Sequence, residues 1–225
     1  MIPFASVKIN VNEKIYLRDP EQTQLGKKII NHSIRLIDEL GFESFTFKKL
    51  AHQINSTEAS IYRYFENKHN LLVYLVSWYW SWLEYQIEFQ THNIEDKEQR
   101  LRIALKVVAE VLSIDSNYSY VDEAALHRIV VSESPKAYYT KNVDVENTDG
   151  FFVSYKSLCN TLVDLIAAYN PQYDYARALA STVLESAHQQ LFFSEHLPSL
   201  TNFKTNSPEN IADYLQHLVF GLVKA

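Results

Sequence analysis

The chain has 225 residues, of which 47% are hydrophobic, and it contains only four glycines and six prolines. This length is enough for a substantial core, and the scarcity of helix breakers favours helices over a turn-rich β fold. The single cysteine, Cys159, excludes an intramolecular disulfide and a thiolate metal cluster, which fits a reducing compartment. We expect Cys159 to act as a small buried apolar residue.

The formal net charge of −6 does not by itself suggest a nucleic-acid binder, but the charges are unevenly distributed. Residues 1–23 carry three basic and three acidic side chains, whereas residues 24–72 carry seven basic and five acidic ones, a net charge of +2. The remainder carries 11 basic and 19 acidic side chains, a net charge of −8. The one net-positive section is therefore 24–72, and phosphate binding requires a local surface of that sign.

The N-terminus has neither a basic start followed by a long apolar run nor any other sign of a signal peptide. No segment approaches the ~20 apolar residues that a membrane-spanning helix needs. We therefore expect a soluble, cytoplasmic protein without a membrane partner.

Residues 1–23 are predicted to form an N-terminal arm. Residues 7–11 alternate between apolar and polar, residues 15–17 are β-prone, and Asp19-Pro20 then breaks the chain. The arm is either an ordered extension packed on the surface, or a strand that pairs with a partner subunit, or a segment that touches DNA.

Apolar residues at helical spacing predict a first helix over about 21–40, which Gly41 follows as a C′ glycine would. Thr46 and Thr57 are good N-caps for two short helices, and Asn55 between them tolerates the left-handed backbone of a tight turn. The helices after the first are predicted over 47–54, 58–65, 68–90, 95–113, 121–132, 151–169, 173–196 and 208–223, and residues 133–150 are predicted to be a loop. The predicted fold class is therefore all-α.

Residues 47–72 show the anatomy of a helix-turn-helix: two short helices, a turn of three to four residues, and a third element that begins at Lys68. The side chains that would pack the two short helices together are Leu50, Ala51, Ile54, Ile61 and Phe65. The remaining face of the second short helix would then be free to enter a major groove.

Several residue types on this segment suit DNA recognition. Small side chains at Ala59 and Ser60 would let the helix approach base edges, and Arg63 would read guanine or bind phosphate. Glu58 is unusual at such a face, where it would accept from cytosine, cap the helix or repel wrong sites. The residues predicted to bind DNA are Thr46, Lys48, Thr57, Glu58, Ala59, Ser60, Tyr62, Arg63, Tyr64 and Lys68.

Over about residues 25–72 the sequence resembles the TetR family of transcriptional regulators. The run Ile61-Tyr62-Arg63-Tyr64-Phe65, followed by Lys68, is the most specific part of the resemblance. The other matching residues are Gly41-Phe42, Thr46-Phe47, Leu50-Ala51, Ser60 and Leu71-Leu72. Asn55 stands where the family usually has glycine, and Ser56 where it usually has an apolar residue.

The resemblance implies three parts: the arm (1–23), a three-helix helix-turn-helix domain (24–70), and a helical effector-binding and dimerisation domain (71–225). It implies a homodimer on a pseudopalindromic operator in double-stranded DNA, with recognition helices roughly 34–36 Å apart. It also implies a sequence-specific repressor that a small-molecule ligand releases from the operator by a population shift. No enzymatic activity and no cofactor are expected.

An aromatic stripe recurs at three- and four-residue steps along the predicted helix 68–90. Its members are Tyr74, Trp78, Trp82, Tyr85 and Phe89. The stripe would either line a pocket for an apolar or aromatic ligand or belong to ordinary core.

The last two predicted helices each carry an apolar stripe that suits a four-helix bundle between two subunits. The residues predicted at this dimer interface are Ala176, Ala180, Val183, Leu184, Ala187, Leu191, Ile211, Leu215 and Leu218. The alternative is that these stripes pack within one subunit.

Two further classes of function remain as alternatives. Glu185 and His188 form a Glu-x-x-His pair, and Glu123 and His127 lie four residues apart, so a helical-bundle metal protein or enzyme is conceivable. Such a site needs two Glu-x-x-His copies and only one is present, and a lone histidine on an apolar helix is usually a hydrogen-bonded core residue. A protein-interaction module without DNA binding is the other alternative.

Overall fold

The computed structural model describes residues 9–109, 121–204 and 208–224. These residues form eleven α-helices and no β-strand, which confirms the all-α prediction. The first helices are α1 (Gln24–Leu40), α2 (Phe47–Gln53), α3 (Glu58–Tyr62), α4 (Lys68–Thr91), α5 (Lys97–Ala109) and α6 (Glu123–Glu133). They are followed by α7 (Pro135–Tyr138), α8 (Val143–Thr148), α9 (Val153–Tyr169), α10 (Ala176–His196) and α11 (Pro208–Leu222).

The prediction of a loop over 133–150 was wrong, because α7 and α8 lie there. Pro135 opens α7, where its fixed φ suits a first turn. None of the residues of α8 is buried, so this helix has no apolar periodicity from which it could have been predicted. Residues 110–113, the end of the predicted helix 95–113, lie outside the described residues.

The chain divides into two compact units. Among the described residues, the first unit comprises 9–79 and 121–154, and the second comprises 80–109, 155–204 and 208–224. This division differs from the expected boundary near residue 70: α6 packs on α1, Lys136 of α7 pairs with Glu43, and Glu146 of α8 lies 2.8 Å from His69.

In the first unit, α1 carries the apolar face that packs the short helices. The side chain of Thr23 caps α1 by accepting the Gly26 N–H at 2.9 Å, and the helix ends at Leu40, directly before Gly41, whose φ is 75°. Gly41 is therefore the C-terminal glycine that the sequence predicted. The buried residues of α1 include Ile29, Ile30, Ile34, Leu36 and Ile37.

The described part of the N-terminal arm is an ordered extension of this unit. Two 3-10 turns, Glu13–Ile15 and Pro20–Gln22, shape it, and Ile15 is fully buried. Asn12 donates its side-chain N–H to Gly150 O at 2.7 Å. Residues 1–8 lie outside the described residues, so the possibilities of strand pairing and DNA contact stay predictions.

Gly26 sets how closely the arm approaches α1. A Cβ on Gly26 would lie 2.1 Å from Pro20 O, well inside van der Waals contact. The backbone of the Pro20 turn therefore rests directly on the backbone of α1.

Helix α6 packs on α1 within the first unit. The Arg128 guanidinium donates to both carboxylate oxygens of Asp38, at 3.0 and 2.6 Å. At the end of α6, Glu133 Oε1 accepts the backbone N–H of Phe42 at 3.0 Å. The turn that precedes α2 is therefore anchored to α6 through a residue 91 positions away.

The second unit is built from the C-terminal half of α4 and from α5, α9, α10 and α11. Its core includes Leu101, Leu105, Leu184 and Leu215. Cys159 is only partly buried, contrary to expectation, and that burial raises the pKa of its thiol to about 11, which keeps it neutral near pH 7. None of the described helices is both long and apolar enough to span a bilayer.

Candidate nucleic-acid interface

The turn between α2 and α3 has the geometry of a helix-turn-helix. Thr46 Oγ1 accepts the Lys49 N–H and Thr57 Oγ1 accepts the Ser60 N–H, both at 3.2 Å, so each short helix begins at a threonine cap. Asn55 has a φ of 51°, the left-handed conformation predicted for it. Asparagine thus replaces the usual glycine without loss of the turn.

Helix α3 has one buried and one outward side. Ile61 and, just after the helix, Phe65 are fully buried, which fixes the rotation of the helix. The exposed side chains are Thr57, Glu58, Ala59, Tyr62 and Arg63, and Ser60 is partly exposed. The structure thus brings together on one surface six of the ten residues predicted to bind DNA.

Tyr62 is held in place by α2. Its ring meets the Phe47 ring edge to face, with centroids 5.0 Å apart and an interplanar angle of 73°. Tyr62 nevertheless keeps 48% of its surface exposed. An aromatic pair of this kind restricts the ring, so the hydroxyl has a defined position at the edge of the outward surface.

Helix α2 contributes two further predicted residues. Thr46 and Lys48 are exposed. Lys49, next to Lys48, donates its ammonium N–H to Ser44 O at 2.7 Å. Lys48 and Arg63 are therefore exposed basic side chains that α2 and the end of α3 add to this surface.

Tyr64 does not lie on this surface, and its prediction as a phosphate contact is corrected. Only 2% of Tyr64 is exposed, and its hydroxyl is 2.7 Å from Thr23 Oγ1, the cap of α1. The Tyr64 carbonyl also accepts the Leu17 N–H at 2.8 Å. Tyr64 joins the arm and α1 to the end of α3.

Lys68 is also engaged inside the protein. Its ammonium donates to Phe42 O at 3.0 Å and to Glu43 O at 3.2 Å, and it lies 4.6 Å from the centroid of the Phe42 ring. A third carbonyl, Phe45 O, is 3.4 Å away. Lys68 was predicted to bind phosphate through its side chain. In the structure this side chain instead ties α4 to the turn before α2.

Arg18 is a basic residue near α3 that sequence reasoning missed. Its guanidinium lies 5.5 Å from the centroid of the Tyr64 ring, and its side chain is exposed. The contact joins residues 46 positions apart, so no local pattern signals it.

The aromatic stripe of α4 does not line a single site. Tyr74 packs edge to face on Phe65, with centroids 5.4 Å apart, and Trp78 donates its indole N–H to Glu21 at 3.2 Å, so both belong to the first unit. In the second unit, Trp82 is buried, whereas Phe89 is 68% exposed and stacks on Tyr85. The interpretation as ordinary core applies to Tyr74 and Trp78.

Most residues predicted at the dimer interface are buried within the chain itself. Six of them are at most 1% exposed: Ala180, Val183, Leu184, Ala187, Ile211 and Leu215. Ala176, Leu191 and Leu218 are partly exposed. These six residues therefore pack α10 and α11 inside one subunit, which was the alternative to a subunit interface.

The two Glu/His pairs are not assembled into a metal site. Glu185 accepts the Tyr155 hydroxyl at 2.7 Å, and the His188 ring lies 5.1 Å from that of Trp80. His127 Nδ1 is 2.6 Å from the Tyr79 hydroxyl. Across residues 9–109, 121–204 and 208–224, no group of three or more His, Cys, Asp or Glu side chains could hold a metal ion.

The second unit contains an open cavity of about 460 Å³. Its lining is Glu88, Thr91, His92, Arg100, Thr161, Asp164, Leu165 and Ala168. Arg100 Nε is buried and has no hydrogen-bond partner among the described residues. A cavity of this volume is within the range of small-molecule sites.

The two threonine-capped short helices, the turn at Asn55 and the outward surface of α3 together form a helix-turn-helix. Residues 29–75, which run from α1 into α4, match the family model described as bacterial regulatory proteins, tetR family. The resemblance to the TetR family is thereby confirmed for this part of the chain. No curated protein matches the chain by sequence.

Solved structures share the fold over most of the chain. AibR in complex with isovaleryl coenzyme A and operator DNA is 17% identical, with a TM-score of 0.57 over 86% of this chain and 98% of that one. The fatty acid degradation regulator FadR from Bacillus halodurans is 17% identical, with a TM-score of 0.62 over 88% and 95%. A tetR-family regulatory protein from Rhodococcus RHA1 is 13% identical, with a TM-score of 0.63 over 89% and 97%. At these identities the likeness establishes the fold.

Proposed function

We propose that this protein is a sequence-specific DNA-binding transcriptional regulator, a repressor that a small-molecule effector releases from its operator. The observation that carries the proposal is the outward surface of α3, where small side chains stand beside an exposed arginine and tyrosine. Such a surface fits a major groove, because Ala59 and Ser60 allow close approach while Arg63 and Tyr62 reach the groove floor and walls.

The roles of the residues follow from their chemistry. Arg63 offers paired donors to guanine O6 and N7, whereas Glu58 accepts from cytosine and opposes wrong base pairs. Thr46, Lys48 and the Tyr62 hydroxyl donate to phosphate oxygens and set the register on the duplex. This assignment leaves out Tyr64 and the Lys68 side chain, both of which are occupied within the protein.

The first test is selection of bound fragments from random double-stranded DNA by the full chain, followed by gel shift on the selected sequence. We expect a pseudopalindromic sequence whose affinity falls with salt at a log–log slope of roughly −0.9 per neutralised phosphate. Recovery of no preferred sequence, together with salt-independent binding, would contradict the proposal and favour a protein-interaction module.

The role of Arg63 is tested by the variant Arg63→Ala on the selected sequence. We expect the ratio of specific to non-specific affinity to fall by about 5- to 150-fold, the range for one lost bidentate base contact. The matched control is Arg35→Ala, which removes the same charge from an exposed position on α1. Equal losses in both variants would show that Arg63 acts only through charge.

For the effector we propose a site within the second unit, as its cavity and the relative solved with isovaleryl coenzyme A support. Arg100, which lines this cavity, is the proposed polar contact. Trp82, Tyr85 and Phe89 are not among the lining residues, and their part in ligand binding stays a prediction from the sequence. The test is thermal denaturation and gel shift with isovaleryl coenzyme A as first probe and coenzyme A alone as control. A probe that raises the melting temperature should also weaken operator binding, because it must favour one of two states; stabilisation with unchanged operator affinity contradicts the mechanism.

We further propose a homodimer, as a pseudopalindromic operator requires. Since the inner faces of α10 and α11 form the core of the subunit, the outer faces are the proposed interface. Exposed or partly exposed residues there include Ala178, Thr182, Tyr214, Leu218 and Leu222.

A further inference from the structure

Three polar side chains on the outward surface of α3 are hydrogen-bonded to one another. Thr57 Oγ1 lies 3.0 Å from Ser60 Oγ, and Arg63 Nη2 donates to Ser60 Oγ at 3.0 Å. Thr57 Oγ1 also accepts the Ser60 N–H, which caps the helix. The guanidinium of Arg63 is therefore connected through Ser60 to Thr57, the N-cap of α3.

The spacing explains why the three side chains meet. Residues three apart on a helix lie on the same face, and Thr57, Ser60 and Arg63 follow one another at that interval. Arg63 keeps a helical backbone, with φ −72° and ψ −16°, so the interval holds to the end of the segment. The buried Ile61 fixes the rotation of the helix and keeps this row on the outside.

The bond to Ser60 leaves the reading capacity of Arg63 intact. A guanidinium has five N–H donors, and a contact to guanine uses two of them on one edge. Ser60 takes one Nη2 hydrogen, so one complete two-donor edge stays free. The bond also involves a cationic donor, which makes it stronger than a bond between neutral groups.

We propose that Ser60 is a positioning residue for base recognition: its hydroxyl, fixed by Thr57, directs the Arg63 guanidinium before DNA is present. The inference rests on the proposed function, and it gives a physical reason for the choice of DNA sequence. A long arginine side chain loses rotamer freedom when it binds a base, and a side chain already held loses less. Ser60 therefore acts on sequence choice through Arg63 rather than by its own contact with a base.

The experiment is a double-mutant cycle on the full chain with Ser60→Ala, Arg63→Ala and the double variant. Its readout is the affinity for the selected operator divided by that for the same operator changed at the base pair whose preference Arg63→Ala abolishes. We expect Ser60→Ala to lower this ratio by about 3- to 10-fold when Arg63 is present, the typical effect of one hydrogen bond. In the Arg63→Ala background the loss should be less than about twofold, because the partner is absent.

Two further variants separate positioning from a general structural effect. Ser60→Thr keeps the hydroxyl, so it should retain the ratio between the two operators, even though its added methyl lowers the affinity for both. Ser132→Ala removes an exposed serine hydroxyl from α6, in the same unit, and should leave the ratio unchanged. Melting temperatures of all variants check that each is folded.

Equal losses from Ser60→Ala in both backgrounds would overturn the inference, because the hydroxyl would then contact DNA independently of Arg63. An unchanged ratio for Ser60→Ala would overturn it as well. These results differ from failure of the proposed function, in which the unaltered protein selects no preferred sequence and the cycle has no operator to be measured on.

Discussion

Glu133, the last residue of α6, accepts the backbone N–H of Phe42, in the turn before α2, across 3.0 Å. Its second carboxylate oxygen lies 2.7 Å from the Lys136 ammonium, and this interaction raises the pKa of Lys136. The carboxylate is buried, so it joins α6 to the helix-turn-helix at a site from which water is largely excluded.

Replacing Glu133 should therefore reduce stability. We expect Glu133→Ala to lower the free energy of unfolding by about 2 kcal/mol, because it leaves the Phe42 N–H buried and unpaired. Glu133→Gln retains an acceptor oxygen and should cost less. Urea denaturation measures both variants, and equal losses would show that the bond to Phe42 contributes nothing.

Tyr64 and Tyr62 should respond oppositely to removal of the hydroxyl group. Tyr64→Phe should lower the free energy of unfolding by about 1 kcal/mol, because the bond to Thr23 is lost, while sequence choice on DNA is unchanged. Tyr62→Phe should leave stability unchanged and weaken DNA binding. Thermal denaturation and gel shift on both variants test this, and weakened binding by a fully folded Tyr64→Phe would place its hydroxyl at the DNA.

Lys68 and Lys48 form a second such pair. Lys68→Ala should lower the free energy of unfolding by about 1–3 kcal/mol, since backbone carbonyls of the turn before α2 lose a charged donor. Lys48→Ala, an exposed position, should change stability by less than about 0.5 kcal/mol and weaken binding to all DNA sequences alike. Comparable stability of the two variants would restore Lys68 to the list of phosphate contacts.

Two groups on α6 should make opposite contributions to the pH dependence of stability. Burial lowers the pKa of His127 to about 4, and burial together with Asp122 raises the pKa of Glu123 to about 7. Between about pH 4 and 6.5 the unfolded chain protonates His127 more than the folded chain does, so this residue makes stability rise with pH. Glu123 does the reverse between about pH 4.5 and 7, because the folded state holds its proton longer.

The two effects oppose each other in the unaltered protein, and single variants should separate them. Relative to the unaltered protein, Glu123→Gln should gain stability as the pH rises through about 4.5–7. His127→Gln lacks the group whose titration makes the unaltered protein more stable as the pH rises from about 4 to 6.5, so its stability relative to that protein should fall over this range. The difference should reach at most about 3 kcal/mol at neutral pH. Unfolding free energies at half-unit pH steps measure both, and parallel curves for all three proteins would contradict the assignment.

The outer and inner faces of α11 should behave differently when altered. Leu222 is 54% exposed, so Leu222→Glu should leave the subunit folded and shift the proposed dimer towards monomer. Leu215 is fully buried, so Leu215→Ala should instead destabilise the fold by about 2–5 kcal/mol. Sedimentation at several concentrations, together with thermal denaturation, distinguishes the two results.

Local patterns were sufficient for much of the candidate site. The threonine caps, Asn55 in the turn and the C-terminal Gly41 are determined by neighbours in sequence, and all were predicted. Tyr64 and Lys68 were misplaced because their partners lie far away along the chain: Thr23 is 41 residues from Tyr64 and Phe42 is 26 from Lys68. A hydroxyl or ammonium group that can bind phosphate can equally bind a helix-capping side chain or a backbone carbonyl. Only the fold determines which of these partners it meets.

The same reason explains the dimer and domain predictions. An apolar stripe shows that a helix face is buried but not which surface buries it, so the inner faces of α10 and α11 could not be told from a subunit interface. The packing of α6 on α1 includes the ion pair between Arg128 and Asp38, which are 90 residues apart and which no periodicity connects.

Because Gly26 is in contact with Pro20, the position of the arm is sensitive to the addition of a single methyl group on α1. One added methyl, in Gly26→Ala, suits α1 by helix propensity yet would push away a segment that also holds Asn12 and Ile15. Glycine is thus required at this position by the backbone of a neighbouring turn rather than by any chemistry of its own. A chain with alanine at this position would keep every residue of the outward surface of α3 but would lose the packing of the arm on α1.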